Sequence, residues 1–153
     1  MRILATQYSL STKSFEIYTA GCNGNPHCEG CHNPESWDFN LGEFYDSILS
    51  GRIKEKIETF SQLIDNIMIF GGEPLDNPNY EVIELLEDLK VLEKLIWLFT
   101  GYEFKDVPKD ILVHCNYIKC GRYERDKREN DKEQYGIKLA SSNQKIYKKG
   151  LDY

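Results

Sequence analysis

No stretch of this 153-residue chain approaches the roughly 18 consecutive apolar residues that a membrane-spanning helix needs. The opening MRILATQYSLSTKSF likewise lacks an apolar block followed by a small-residue cleavage site, so no membrane partner and a cytoplasmic location are expected. Positive charge is also short: 19 Lys and Arg stand against 25 Asp and Glu, a formal net charge of −6. Such a balance gives no support for a broad phosphate-binding surface, and nucleic acid is not expected as a partner. There is no internal repeat, and this length suits one core, so residues 1–153 read as a single domain.

Cysteine is sparse as well, at five residues, yet three of them fall within ten positions in GCNGNPHCEGC, Gly21 to Cys31. In a reducing compartment a tight cluster of this kind points to a metal or catalytic site and away from a disulfide framework. Cys22, Cys28 and Cys31 form C-x5-C-x2-C, and thiolates are soft ligands suited to zinc or to iron–sulfur clusters. Structural zinc wants four protein ligands, usually two pairs, and only one C-x2-C pair is present. A fourth ligand would have to come from His27, His32, Cys115 or Cys120. Three cysteines on one loop instead suit a cubane cluster with one iron left open to a small molecule. Both readings stand on the residues alone. Cys115 and Cys120, separated by four residues, read as buried small apolar side chains.

SFEIYTAGC reads as a strand that delivers Cys22 at its C-terminal end. In the stretch that follows Trp37, Phe44, Ile48, Ile53, Ile57, Phe60 and Ile64 recur at helical spacing, and Gly51 divides them into two expected helices. IMIFGGEP is a short apolar run ending in two glycines, as a buried parallel strand stopping at a sharp turn should be. NPNYEVIELLEDLKVLE then places Val82, Leu85, Leu86 and Leu89 on one helical face behind Pro78. KLIWLFTGY is another strand ending at Thr100-Gly101, and DILVHCNYIKCGRY supplies one or two more, with His114 in the core or at its rim. Strands alternating with amphipathic helices imply a mainly parallel sheet, whose ligands sit at the C-terminal strand ends. The cysteine loop, Gly71-Gly72 and Thr100-Gly101 would all meet there. A glycine pair at a strand end lets backbone approach a ligand where any Cβ would collide, although alone it is also an ordinary turn before a helix. Trp97 reads as core, and Trp37 as a lid or an anchor of the cysteine loop. Ser141 to Gln144 would bind a partner or cap a turn, and the mixed-charge run from Glu124 to Gly136 reads as a solvated or mobile loop.

With these residues in place the chain resembles the radical S-adenosylmethionine superfamily, and within it the activating proteins of anaerobic ribonucleotide reductase. The resemblance rests on GCNGNPHCEGCHNPESW, closing at Trp37, on FGGEP from Phe70 to Pro74, on WLFTGYEF, and on YIKCGRY followed by LASSNQKIY. It spans roughly Phe15 to Tyr147. The family's usual cysteine spacing is C-x3-C-x2-C, so the first gap here is two residues longer, and Gly24 and Pro26 are expected to let that length bulge outward and leave the three sulfurs converging. The resemblance implies an α/β fold, a partial, open (β/α) barrel of mainly parallel strands. It implies a 4Fe-4S cluster held by Cys22, Cys28 and Cys31, and S-adenosyl-L-methionine bound by Gly71, Gly72 and Glu73, with His32 and Thr100 as further candidate contacts. The implied activity is reductive cleavage of that cofactor to place a glycyl radical on a large glycyl-radical enzyme, anaerobic ribonucleotide reductase. A flavodoxin-like or other electron donor would supply the electron. The rival readings are a radical enzyme of the same chemistry with another target, such as another glycyl-radical enzyme or a deazapurine precursor, and a zinc-stabilised interaction module without catalysis.

Overall fold

A computed structural model describes the chain from Met1 to Tyr153. It opens with a strand that the sequence reading did not anticipate, β1 (Arg2–Ser9), which folds back antiparallel onto β2 (Ser14–Thr19). Only Ile3 of β1 is buried, so the alternation that marks a half-buried strand hardly registers there. The chain continues through β3 (Glu43–Phe44), α1 (Ser47–Thr59), β4 (Asn66–Gly71), α2 (Asn79–Lys90), β5 (Leu95–Phe99) and a single-turn α3 (Lys109–Leu112). It ends with β6 (Tyr117–Cys120), the hairpin of β7 (Glu133–Gln134) and β8 (Ile137–Lys138), and β9 (Lys145–Lys148). Seven strands make one sheet in the order β3-β1-β2-β4-β5-β6-β9. Its centre, β2-β4-β5-β6, is parallel, and both flanks are antiparallel.

Two helices were expected between Trp37 and Asn66; there is one α-helix, followed by a single 3-10 turn at Ser61–Leu63. Leu49, Ile53 and Ile57 are buried at intervals of four, and this stripe runs straight past Gly51, which sits on the solvent side of α1. Phe44, Ile48 and Phe60, counted in the expected helical stripe, are exposed. Asp46 starts α1 by accepting from the amides of Ile48 and Leu49, at 3.0 and 2.9 Å. A second correction falls on DILVHC. Pro108 opens the helical turn α3 there, so His114 lies in the turn after α3, and only β6 follows as a strand.

Alternation along the parallel strands sends side chains to two different faces. Phe15, Ile17, Ile67, Ile69, Ile96, Leu98 and Ile118 point to one side, where Leu49, Ile53 and Ile57 of α1, Leu85, Leu86 and Leu89 of α2 and Ile111 of α3 cover them in a single apolar core. Each fully buried aliphatic side chain there is worth about 1.5–3 kcal/mol relative to exposure. Glu16, Tyr18, Met68, Phe70, Trp97, Phe99, Tyr117 and Lys119 take the other side. No helix covers that face. A small cluster of Met68, Trp97, Leu139 and Ile146 closes its lower part, with Leu139 coming from the strap that follows β8. The charged run from Glu124 to Gly136, expected to be a loop throughout, therefore contains β7 and leads directly into this strap. None of the helices is long and apolar enough to cross a membrane.

Candidate functional site

The C-terminal ends of β2, β4, β5 and β6 meet on the uncovered side of the sheet around a cavity of about 680 Å³. Of the residues picked out from sequence, Cys22, Cys28, His32, Gly71, Gly72, Glu73 and Thr100 line it, and Cys31 does not. β2 and β4 end in register, with Thr19 opposite Gly71. Beyond that pair the two strand exits stay joined, because the amide of Gly72 donates to the Thr19 carbonyl at 3.0 Å and that of Glu73 to the Gly21 carbonyl at 2.7 Å. A Cβ on Gly71, whose φ is +137°, would lie 2.1 Å from the Thr19 oxygen, and one on Gly72 would lie 2.2 Å from the Gly21 oxygen. The close approach that demands glycine here is thus between two stretches of protein backbone, and not only between backbone and ligand.

Glu73 is buried, at 7% exposure, without a cation bonded to it. Its carboxylate accepts from the Leu75 amide (3.1 Å), the Thr100 hydroxyl (2.7 Å) and the Gly101 amide (2.7 Å), so it ties the exit of β4 to that of β5. Burial pushes its pKa up and those three donors pull against the rise. Thr100 also accepts from the Tyr102 amide at 3.0 Å. Its hydroxyl therefore works through Glu73, holding the carboxylate at the cavity wall.

The cysteine loop is pinned where it starts and where it ends: the Gly21 amide donates to the Ser36 carbonyl at 2.8 Å, and the Cys22 amide to the Trp37 carbonyl at 3.2 Å. In the lengthened first gap Asn25 and Pro26 are exposed, whereas His27 turns back and stacks on Trp37, with ring centres 3.8 Å apart and planes 11° apart. Its Nε2 also sits 3.0 Å from the Cys22 carbonyl. Trp37 is accordingly the loop's anchor. Burial, with Asp76 and Glu73 nearby, raises the Cys22 thiol above its ordinary range, so metal binding there must displace a proton.

All five cysteines are free thiols. Cys115 and Cys120 are buried at 0% and 3% exposure in the helix-side core, as the reading of them as small apolar side chains requires. That also removes them as ligands beside the loop. With His27 stacked on Trp37, His32 is the remaining imidazole at the cavity, and no three Cys, His, Asp or Glu side chains are already drawn into a metal cage. The three cysteines are half-buried soft donors suited to a cluster, but the expected convergence of their sulfurs is not found: Cys31 lies off the cavity that Cys22 and Cys28 line, and the loop carries its ligands without gathering them.

Sequence reasoning missed Lys119. It extends from β6 into the cavity, its Nζ donating to the Gly121 carbonyl at 2.8 Å, and burial pushes its pKa down to about 8 despite the nearby charge of Glu73. The signal was there: a lysine inside the apolar strand YIKC. A row of Tyr18, Phe70 and Phe99 forms the apolar wall beside it, with centroids 5.5 and 4.2 Å apart. Ser141 to Gln144 proves to be a structural knot, since Gln144 Oε1 accepts from the amides of Ala140 (2.9 Å) and Ser141 (3.3 Å).

Residues 13–147 match the family described as "4Fe-4S single cluster domain", which makes this a protein of the single-cluster iron–sulfur class. Its relatives narrow the class. The anaerobic ribonucleoside-triphosphate reductase-activating protein of Enterobacteria phage T4 is 31% identical over 115 residues, covering 72% of this chain and 70% of that protein. The proteins of the same name from Haemophilus influenzae and Pasteurella multocida are 27% and 28% identical, covering 67% and 86% of this chain and 66% and 85% of their own lengths. The chain belongs to the family of anaerobic ribonucleoside-triphosphate reductase-activating proteins, and its cofactor is an iron–sulfur cluster.

Proposed function

We infer that this chain is a radical S-adenosylmethionine activase that places a glycyl radical on anaerobic ribonucleoside-triphosphate reductase. One observation carries the reading: the cysteine loop, the Gly-Gly-Glu turn and the Thr-Gly turn, far apart in sequence, line one cavity at the C-terminal ends of parallel strands. The sheet is then a partial, open (β/α) barrel with its three helices outside, and the whole chain acts as one domain in a reducing, cytoplasmic setting. A flavodoxin-like protein or another low-potential donor would deliver the electron.

Cys22, Cys28 and Cys31 would hold the cluster as thiolates. When bound, cluster and S-adenosylmethionine supply reductive cleavage of a sulfur–carbon bond and a carbon radical able to take a hydrogen atom from a glycine Cα. The chain's own residues bind and orient. Glu73, fixed by three donors, offers a buried acceptor for the cofactor's ammonium, and Lys119 offers a half-buried ammonium for its carboxylate. Tyr18, Phe70 and Phe99 provide a flat apolar wall, and β8 with the strap that follows it, Ile137 to Ala140, narrows access and limits water. His32, exposed at the rim, is placed to meet the nucleoside side of the cofactor or the incoming polypeptide. The cavity lies within the range of about 300–1,000 Å³ typical of small-molecule sites and stays open at its mouth for a glycine-bearing loop.

The test is anaerobic reconstitution followed by incubation with reductant, S-adenosylmethionine and the purified reductase. Formation of 5′-deoxyadenosine together with a glycyl-radical signal on the reductase is expected. Deoxyadenosine without that signal would redirect the reading to another target, and no deoxyadenosine would end it.

A further inference from the structure

The end of β6 reaches across the cavity mouth to the middle cysteine. Arg122 Nε lies 3.2 Å from Cys28 Sγ and donates to it, and Nη2 of the same guanidinium donates to the Pro26 carbonyl. One planar fork thus grips the loop at the ligand and at the exposed bend of the lengthened gap. Three residues on, Arg125 pairs with Glu29, the residue after that cysteine.

The platform under Arg122 is fixed by a set of hydrogen bonds to its backbone and to that of Gly121. The Gly121 amide donates to the Tyr102 carbonyl at 2.9 Å, and the Gly121 carbonyl accepts from Lys119 Nζ at 2.8 Å and from Gln144 Nε2 at 3.2 Å. Asn143 Nδ2 donates to the Arg122 carbonyl at 2.9 Å. Gly121 has φ +100°, and a Cβ there would press on the backbone of Asn143 and Gln144 at 3.1–3.2 Å. The Ser141 to Gln144 knot and the β6 exit therefore form one unit, and Arg122 is the side chain it aims at the cysteine loop.

We propose that Arg122 is a positioning residue for the cluster: its guanidinium ties the Cys22 to Cys31 loop to the β6 exit and donates a hydrogen bond to the sulfur of Cys28, raising the reduction potential of the cluster that this sulfur carries. The second half rests on the proposed function. A cationic donor withdraws charge from a ligating sulfur and favours the reduced, more negative cluster, one of the recognised ways a protein sets an iron–sulfur potential. The electron donor then has a smaller gap to overcome.

Two variants separate the halves. Arg122→Gln removes the charge and the fork, and Arg122→Lys keeps the charge but cannot reach Cys28 and Pro26 together in the same geometry. In the metal-free protein, amide exchange of residues 22–31 is expected to quicken roughly tenfold in Arg122→Gln, the factor that loss of one charge-assisted hydrogen bond represents. In the reconstituted protein, a redox titration followed by electron paramagnetic resonance should give a more negative midpoint potential for Arg122→Gln, with Arg122→Lys between it and the parent. Should the glutamine variant assemble no cluster, the lysine variant against the parent gives the comparison. Unchanged potentials would overturn the sulfur-donor role, and unchanged exchange the loop-holding role. If the parent protein takes up no iron, it is the proposed function that fails, and the metal-free exchange still decides whether Arg122 holds the loop.

Discussion

The two faces of the sheet use the same strands in opposite ways. On the helix side, Ile17, Ile69, Leu98 and Ile118 meet helices in a core that provides most of the apolar burial. On the other side the alternating positions are Tyr18, Phe70, Phe99 and Lys119, half-buried beneath no helix and flanked by a buried carboxylate and the cysteine loop. The first face fills itself. The second has apolar walls and fixed polar groups but nothing in the chain to complete them, as expected of a surface built to enclose something else.

Cysteine substitution should break this comparison most completely. Cys28→Ala is expected to reduce deoxyadenosine formation to background and lower iron content, while the melting temperature of the metal-free protein stays near that of the parent, because Cys28 is only half-buried at the rim. Gly72→Ala would damage both faces, since its Cβ must displace the Gly21 backbone. A loss of about 3 kcal/mol or more is expected, read as a fall in melting temperature of about 2–4 °C per kcal/mol, with cofactor binding lost alongside.

A matched pair would sharpen the contrast. Leu86→Ala, in the helix-side core, should cost about 2–5 kcal/mol in denaturant unfolding and leave cofactor affinity of the folded protein unchanged. Phe99→Ala, on the open face, should do the reverse, weakening S-adenosylmethionine binding by about tenfold in calorimetry with a smaller stability loss. Equal effects of the two on affinity would dissolve the division between the faces.

The smallest effect is expected at Lys119, and its sign changes with the observable. Burial holds its folded pKa near 8 against 10.5 when unfolded, so between those values the unfolded chain binds the extra proton. Its stabilising contribution is fully present above about 10.5 and is lost as pH falls through about 8. Lys119→Met should therefore melt higher than the parent, most clearly below pH 8, with the gap closing as pH rises, while its affinity for S-adenosylmethionine falls. Parallel melting curves across this range would show that the lysine is not buried as a charge.

The site was more legible in the sequence than the fold around it. Cys22, the Gly71-Gly72-Glu73 turn and Thr100 could be placed at strand ends because each follows a short run rich in β-branched and aromatic residues that is stopped by glycine, too short for a buried helix. β1 was not, since only one of its side chains is buried, and α1 was divided in two at Gly51, which lies on its solvent face, while exposed Phe44, Ile48 and Phe60 imitate a longer core stripe. Roles that depend on long-range contacts were hidden altogether. Neither the Gly72 contact with Gly21 nor the reach of Arg122 to Cys28, 94 residues away, leaves any periodic trace in the chain.

The most direct measurement is metal analysis of the anaerobically reconstituted protein with electron paramagnetic resonance of its reduced form, with and without S-adenosylmethionine. The expected result is about four irons per chain, as a 4Fe-4S cluster requires, and a spectrum that changes when the cofactor is added. A colourless protein holding a single zinc, or a cluster whose spectrum ignores S-adenosylmethionine, would contradict the assignment of the open face as a radical-generating site.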